Sequence, residues 1–539
     1  MTRTILTSAC LLLLGASTAF ADDTLWTRHS NGDRDCFGRA LLVDQEDNII
    51  AVGTCLGAGT GQDVGVVKYG PDGALQWSTT VAGPGAFNDY AMGAALNALG
   101  DIYITASSGL FPDYDIMTVK LSRTGTEVWR QVYEGPDSVA DAPAGIAVDT
   151  AGNAYVTGYT TASGDSTGWV TMKLAPDSGL PLWVQVRPGE GMGRPTAIAL
   201  GPDDAVYVTG FGQRQFMEDY VTVKYSTDGV EQWTSFYNYS GNGSDIPVAI
   251  AVDYAGDAYV TGTSATAPPP EGLNQYATVK YGSDSGAQQW VARYAGEDGH
   301  NVPVAVALGD DAVYVTGSSQ GSAGDGDYAT IAYDKSDGSQ VWATRFNGPA
   351  GKADDAVDLA VIPSGKILVT GTSVDANDKS GFMTLRYTEA GVQDWASSYC
   401  GPPDGDNMAV AVASDNHCNP IVLGSDFDSG YYGLLIVKYD SAAVGGIAEF
   451  RHAVTARPGM RLAPNPARNW TSVQHSLSGA VPAIISLLGA DGRIVRTQRF
   501  DGQAGGPSRL DLTRLPSGVY IVRLDVAGQH ATQRLVVLR

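Results

Sequence analysis

The sequence predicts an all-β protein: an eight-bladed β-propeller closed by an N-terminal strand, followed by a small Ig-like β-sandwich. Three observations carry that prediction. Tryptophans recur at Trp26, Trp77, Trp129, Trp183, Trp233, Trp290, Trp342 and Trp395, at intervals of 50 to 57 residues. A Tyr-Val-Thr-Gly segment recurs in phase with them, at 155–158, 207–210, 259–262 and 314–317, with looser copies at 49–53, 102–105, 367–371 and 421–424. Gly is abundant, 67 of 539 residues, and Tyr outnumbers Phe 26 to 12, which suits short strands and tight turns. A fixed period of this length marks a repeat architecture.

Each period reads as four strands. The first resembles Ile250-Ala251-Val252-Asp253, the second is the Tyr-Val-Thr-Gly segment, the third resembles residues 220–225, and the fourth carries the Trp. Tyr, Val, Ile and Thr fill the strands, while Asp, Asn and Gly fill the turns. Four strands repeated radially make a propeller blade. The last copy lacks a Trp strand, whereas an orphan one, Leu25-Trp26-Thr27-Arg28, precedes the first copy. The N-terminal strand therefore completes the last blade, because an open ring would leave sheet edges unpaired.

The ends read as addresses. Arg3 and the apolar run through residues 11–14, followed by Ala19-Phe20-Ala21, have the pattern of a signal peptide over 1–21, cleaved between Ala21 and Asp22. The propeller then spans 22–440, a linker 441–460, and a second module 461–539. Charge separates these parts. Residues 447–539 hold 12 Arg and 5 acidic residues, net +7, and Arg3 is the only charge of the leader. The total of −24 thus leaves −32 on residues 22–446. Such acidity excludes a nucleic-acid binder and docking on anionic membranes.

The block 145–158, Gly-Ile-Ala-Val-Asp-Thr-Ala-Gly-Asn-Ala-Tyr-Val-Thr-Gly, resembles the SBBP-type bacterial β-propeller repeat. That resemblance implies the fold and leaves function open. Downstream come Leu462-Ala463-Pro464-Asn465-Pro466, then 487–495, then Leu515-Pro516-Ser517-Gly518-Val519-Tyr520. In this order they resemble the type A sorting domain of the type IX secretion system. The resemblance implies handling by that machinery through residues 461–539, and a secreted or outer-membrane surface location in a Gram-negative bacterium.

Four cysteines follow the leader. In a hairpin turning near Glu46, Cys36 and Cys55 meet, so they are expected to pair; Cys400 and Cys418 fall at opposite strand ends and are left unpaired. No CxxC or CxxCH motif supports zinc, redox or haem chemistry. Gly317-Ser318-Ser319-Gln320-Gly321 matches GxSxG but runs from a strand into a Gly/Asp-rich loop, not into a helix. Gly57 to Gly61 likewise leads into a strand, not a phosphate-binding helix. His29, His300 and His417 have no metal spacing. The segment 334–342 is similar to the tryptophan-docking repeat of eight-bladed quinoprotein dehydrogenases, where the Trp clamps adjacent blades; the Cys-Cys pair of those enzymes is missing.

The most regular polar feature is acidic. Just before the first strand of each copy stand Asp89, Asp141, Asp245, Asn301, Asp354 and Asp406, with Cys36 and Gly193 breaking the series. One reading is an Asx residue that holds a tight loop. The other is a ring of carboxylates at the channel mouth that binds Ca²⁺ or a cationic ligand, with Asp325, Asp327 and Asp404 nearby. No other cofactor is expected, and a monomer is. The functional expectation is a non-catalytic binding module for a glycan or protein; the alternative is an extracellular hydrolase or PQQ-like quinoprotein with a channel-mouth site.

Overall fold

The computed structural model describes residues 24–442 and 460–538 apart from short loop segments within them. Two units emerge, Asp23–Ala453 and Val454–Arg539.

The first unit is a propeller of eight four-stranded antiparallel sheets. Seven are built from consecutive strands. In the eighth, Thr24–Ser30 pairs with Tyr431–Tyr439, so the N-terminal strand completes the last blade. First strands of neighbouring blades touch all round the ring, and Cys36–Val43 meets Asn407–Ser414 to close it. The first strand is therefore innermost and the Trp-bearing strand outermost.

The repeated letters now have physical reasons. In the Tyr-Val-Thr-Gly strand the Thr is fully buried and its hydroxyl meets a Thr of the third strand. The pairs Thr157–Thr171, Thr209–Thr222, Thr261–Thr278, Thr316–Thr330 and Thr370–Thr384 lie 2.9 to 3.2 Å apart. The Gly faces a bulge in the first strand. At Gly262 a Cβ would run into the Ile246 carbonyl, so only Gly fits.

The tryptophans lock blade to blade. Trp129, Trp183, Trp233, Trp290 and Trp342 donate their indole N–H to the carbonyls of Pro176, Thr227, Ser283, Lys335 and Glu389, all in the turn before the next blade's fourth strand. The Lys of the third strand reaches the same carbonyl, as Lys120 does to Pro176, Lys173 to Thr227 and Lys280 to Lys335. Burying an indole of roughly 200 Å² is worth at most about 5 kcal/mol per joint.

The second unit is a β-sandwich. A three-stranded sheet (Met460–Ala463, Trp470–His475, Ser508–Asp511) and a four-stranded one (Ala483–Leu488, Ile494–Phe500, Gly518–Val526, Gln529–Val537) share one core that includes Val473, Leu487, Leu510, Val522 and Leu535. Among the described residues no helix is long and apolar enough to cross a membrane, which says nothing of β-barrels. The leader, with Ala21 and Asp22, lies outside the described residues.

Candidate functional site

The propeller presents two faces. One carries the loops that enter each first strand, and here the acidic series sits. Its members are buried: Asp89 is 2% exposed, and Asp141, Asp245, Asn301 and Asp354 are at 0%. Each is tied to the loop six residues upstream. Asp89 accepts from Gly83 N–H, Asp141 from Gly135, Asp245 from Tyr239 and Asp354 from Gly348, while Asn301 donates to the Ala295 carbonyl. Across the strand pair a hydroxyl answers, such as Ser373 to Asp354 and Ser319 to Asn301. Burial raises the Asp245 and Asp354 carboxyls to about 6, against the lowering effect of these serine and backbone bonds.

The eighth member needs correction. Asp406 is exposed; the equivalent buried position is Asn407, which pairs with Asp426 as Asp245 pairs with Ser264. A strand's side chains alternate faces, so one step of register separates a loop anchor from a surface acid. The position that is solvent-exposed at several copies is the next along: Phe37, Tyr90, Arg194, Val302, Asp355 and Met408. Asp327 is held by Arg345 at 2.7 Å, and Asp404 lies outside the described residues. Among the described residues no three His, Cys, Asp or Glu side chains gather as metal ligands.

The other motifs are absorbed by the fold. Ser319 of the GxSxG match is buried between Asn301 and Arg345, out of a nucleophile's reach of solvent. His29 meets Asp426 at 2.9 Å and His417 meets Asp47 at 3.5 Å, while the His300 backbone caps Gln320. Cys36 and Cys55 stand opposite each other in the first hairpin and are disulfide-bonded; Cys400 and Cys418 are free.

The opposite face carries the turns between first and second strands. In five blades that turn opens with an Asx residue: Asp44, Asn97, Asp149, Asp253 and Asp415. Its side-chain oxygen accepts backbone N–H groups two or four residues on. A third-strand lysine often adds an ion pair, as in Lys68–Asp44 at 2.7 Å and Lys438–Asp415 at 2.8 Å. Burial would raise these two carboxyls, but the lysine and asparagine bonds hold both below the usual range.

Three blades lose this device. Gly201, Gly309 and Ile362 replace the Asx residue in the fourth, sixth and seventh blades, and the sixth blade's turn is one residue shorter. Here the structure opens a pocket of about 850 Å³. Its walls include the inner-strand ends Leu200, Val252, Leu308 and Val361. Its charged lining is Asp253, Asp310, Asp311, Asp334 and Glu389 against Lys335 alone. Tyr254, fully exposed, stands at its rim. The pocket is hard to see in the sequence because no insertion marks it; its turns differ from the others only in lacking the Asx residue at Gly201, Gly309 and Ile362. The signal was there in the three missing Asx residues.

Comparison with known proteins bears on the modules. The model of the secretion system C-terminal sorting domain matches residues 461–538, and that of the SBBP β-propeller repeat matches 138–164. No curated protein matches the chain. Among solved structures, Sqt1 of Saccharomyces cerevisiae is 8% identical, with a TM-score of 0.48 over 78% of this chain and 99% of its own. The quinohemoprotein alcohol dehydrogenase of Comamonas testosteroni is 11% identical, with a TM-score of 0.46 over 85% of this chain and 80% of its own. The polysaccharide lyase Uly1 is 10% identical, with a TM-score of 0.40 over 78% of this chain and 100% of its own. At these scores the likenesses carry neither activity nor substrate to this chain. The chain carries an SBBP-type β-propeller repeat at 138–164 and, at 461–538, a type IX C-terminal sorting domain that marks it for export to the exterior or the cell surface.

Proposed function

We propose that the exported propeller is a monomeric, non-catalytic binding module that holds its extracellular ligand in the turn-face pocket. One observation supports this above the others. Five blades keep the Asx turn; the pocket is lined by the turns of all three blades that abandon it, together with Asp253 and Tyr254 of the fifth blade between them. Packing explains the uniform turns; it gives no reason for their joint loss round one cavity. The ring supplies a rigid frame, and the departures supply a concave surface of the kind ligands use.

The reading needs no cofactor. Its test is to offer the purified chain to polysaccharide and peptide panels, scoring turnover, beside a binding array. Binding without turnover is the expected outcome. Turnover abolished by a pocket substitution such as Pro363→Trp would favour the extracellular enzyme instead.

A further inference from the structure

The pocket's composition narrows the ligand. Apolar inner-strand ends form its walls, a bare tyrosine ring stands at the edge, and its acidic lining outnumbers Lys335: Asp253 and Asp334 are bonded within their own turns, while Asp310, Asp311 and Glu389 are exposed. An anionic ligand would meet uncompensated like charge. A neutral ligand would leave the acidic side unused. A small polyamine would satisfy the carboxylates but cover none of Leu200, Val252, Leu308 or Val361.

We propose that the pocket takes an extended peptide segment of a protein partner in which lysine or arginine alternates with apolar residues. The basic side chains meet Asp310, Asp311 and Glu389, one can lie over the Tyr254 ring, and the apolar ones rest on the walls. Asp310 and Asp311 sit side by side at the tip of the shortened turn and are exposed. They are therefore available to a ligand in a way that Asp44 and Asp415, bonded to lysines, are not. This inference rests on the pocket-binding reading above.

Fluorescence anisotropy of a labelled peptide of alternating lysine and leucine tests it on the full chain. Asp310→Asn with Asp311→Asn should weaken binding about 5- to 10-fold at low salt, the size of two exposed ion pairs, with the melting temperature unchanged. The salt dependence should flatten in the same variant. Equal binding by a glutamate–leucine peptide, or by spermine in competition, would overturn the peptide assignment. So would an affinity untouched by the double substitution. Pro363→Trp, at an exposed position on the pocket wall, separates the two claims. If it blocks a neutral array ligand while the basic peptide never binds, the pocket stands and the basic peptide falls. If it alters no ligand's binding, the pocket itself is not the site.

Discussion

Trp26 donates its indole N–H to the Pro71 carbonyl at 3.1 Å, and the Gly73 backbone lies against the same ring. These residues are 45 positions apart, and their contact joins the strand that completes the eighth blade to the first blade. It is the same lock that Trp129 and Pro176 make inside the ring. Lys438 reaches Pro71 as well, at 3.1 Å. Removing residues 22–30 should therefore lower the melting temperature by on the order of 10 °C, since several kcal/mol of pairing and indole burial go together. An unchanged thermal transition would contradict closure by this strand.

Gly73 has φ of +77°, and a Cβ there would stand 2.8 Å from the Trp26 ring. Gly73→Ala should thus cost about 2 kcal/mol, from the left-handed backbone and the displaced indole. Chemical denaturation measures it; a neutral substitution would show that the ring does not rest on this turn.

Cys418 runs the other way. It holds φ of +64° at the turn position that Gly100, Gly152 and Gly256 hold in sister blades. Cys418→Gly should stabilise the chain by about 1 kcal/mol by relieving that backbone. Equal or lower stability would mean its side chain does more than occupy the turn.

Asp245 and Asp354 titrate at about 6 in the folded chain because burial disfavours their charged form, against 3.8 for the free group. The folded state thus holds more protons than the unfolded chain between these values. Stability from each is complete below about pH 4 and is lost as pH rises through about 6. Asn301 and Asn407 show that an amide fits this place. Asp354→Asn should remove part of the decline, on the order of 2 kcal/mol between pH 4 and 7. A decline as steep as in the parent would mean Asp354 is not its source.

Calcium at millimolar levels should leave the melting curve where it is. Asp89, Asp141, Asp245 and Asp354 are buried, and each commits one carboxylate oxygen to its own loop. A rise of several degrees would restore the cation ring at the mouth.

The ring was legible because its cause is repeated. A Trp every blade, a Thr pair and a Gly at each bulge write the same packing many times, so period and strand type agree. The loop anchors were legible as a column but not to the residue. Asp406 and Asn407 are adjacent and both polar, and only the pairing of Asn407 with Asp426 tells which turns inward. The pocket was least legible. Gly201, Gly309 and Ile362 are ordinary residues in ordinary turns, and their meaning appears only when the ring brings them together.

Hydrogen–deuterium exchange of the full chain, with and without a ligand found on the array, tests the account most directly. Protection is predicted at the turns around 201–205, 253–257, 309–312 and 362–366. Protection confined to the opposite face, around 83–89, 135–141 and 239–245, would contradict it.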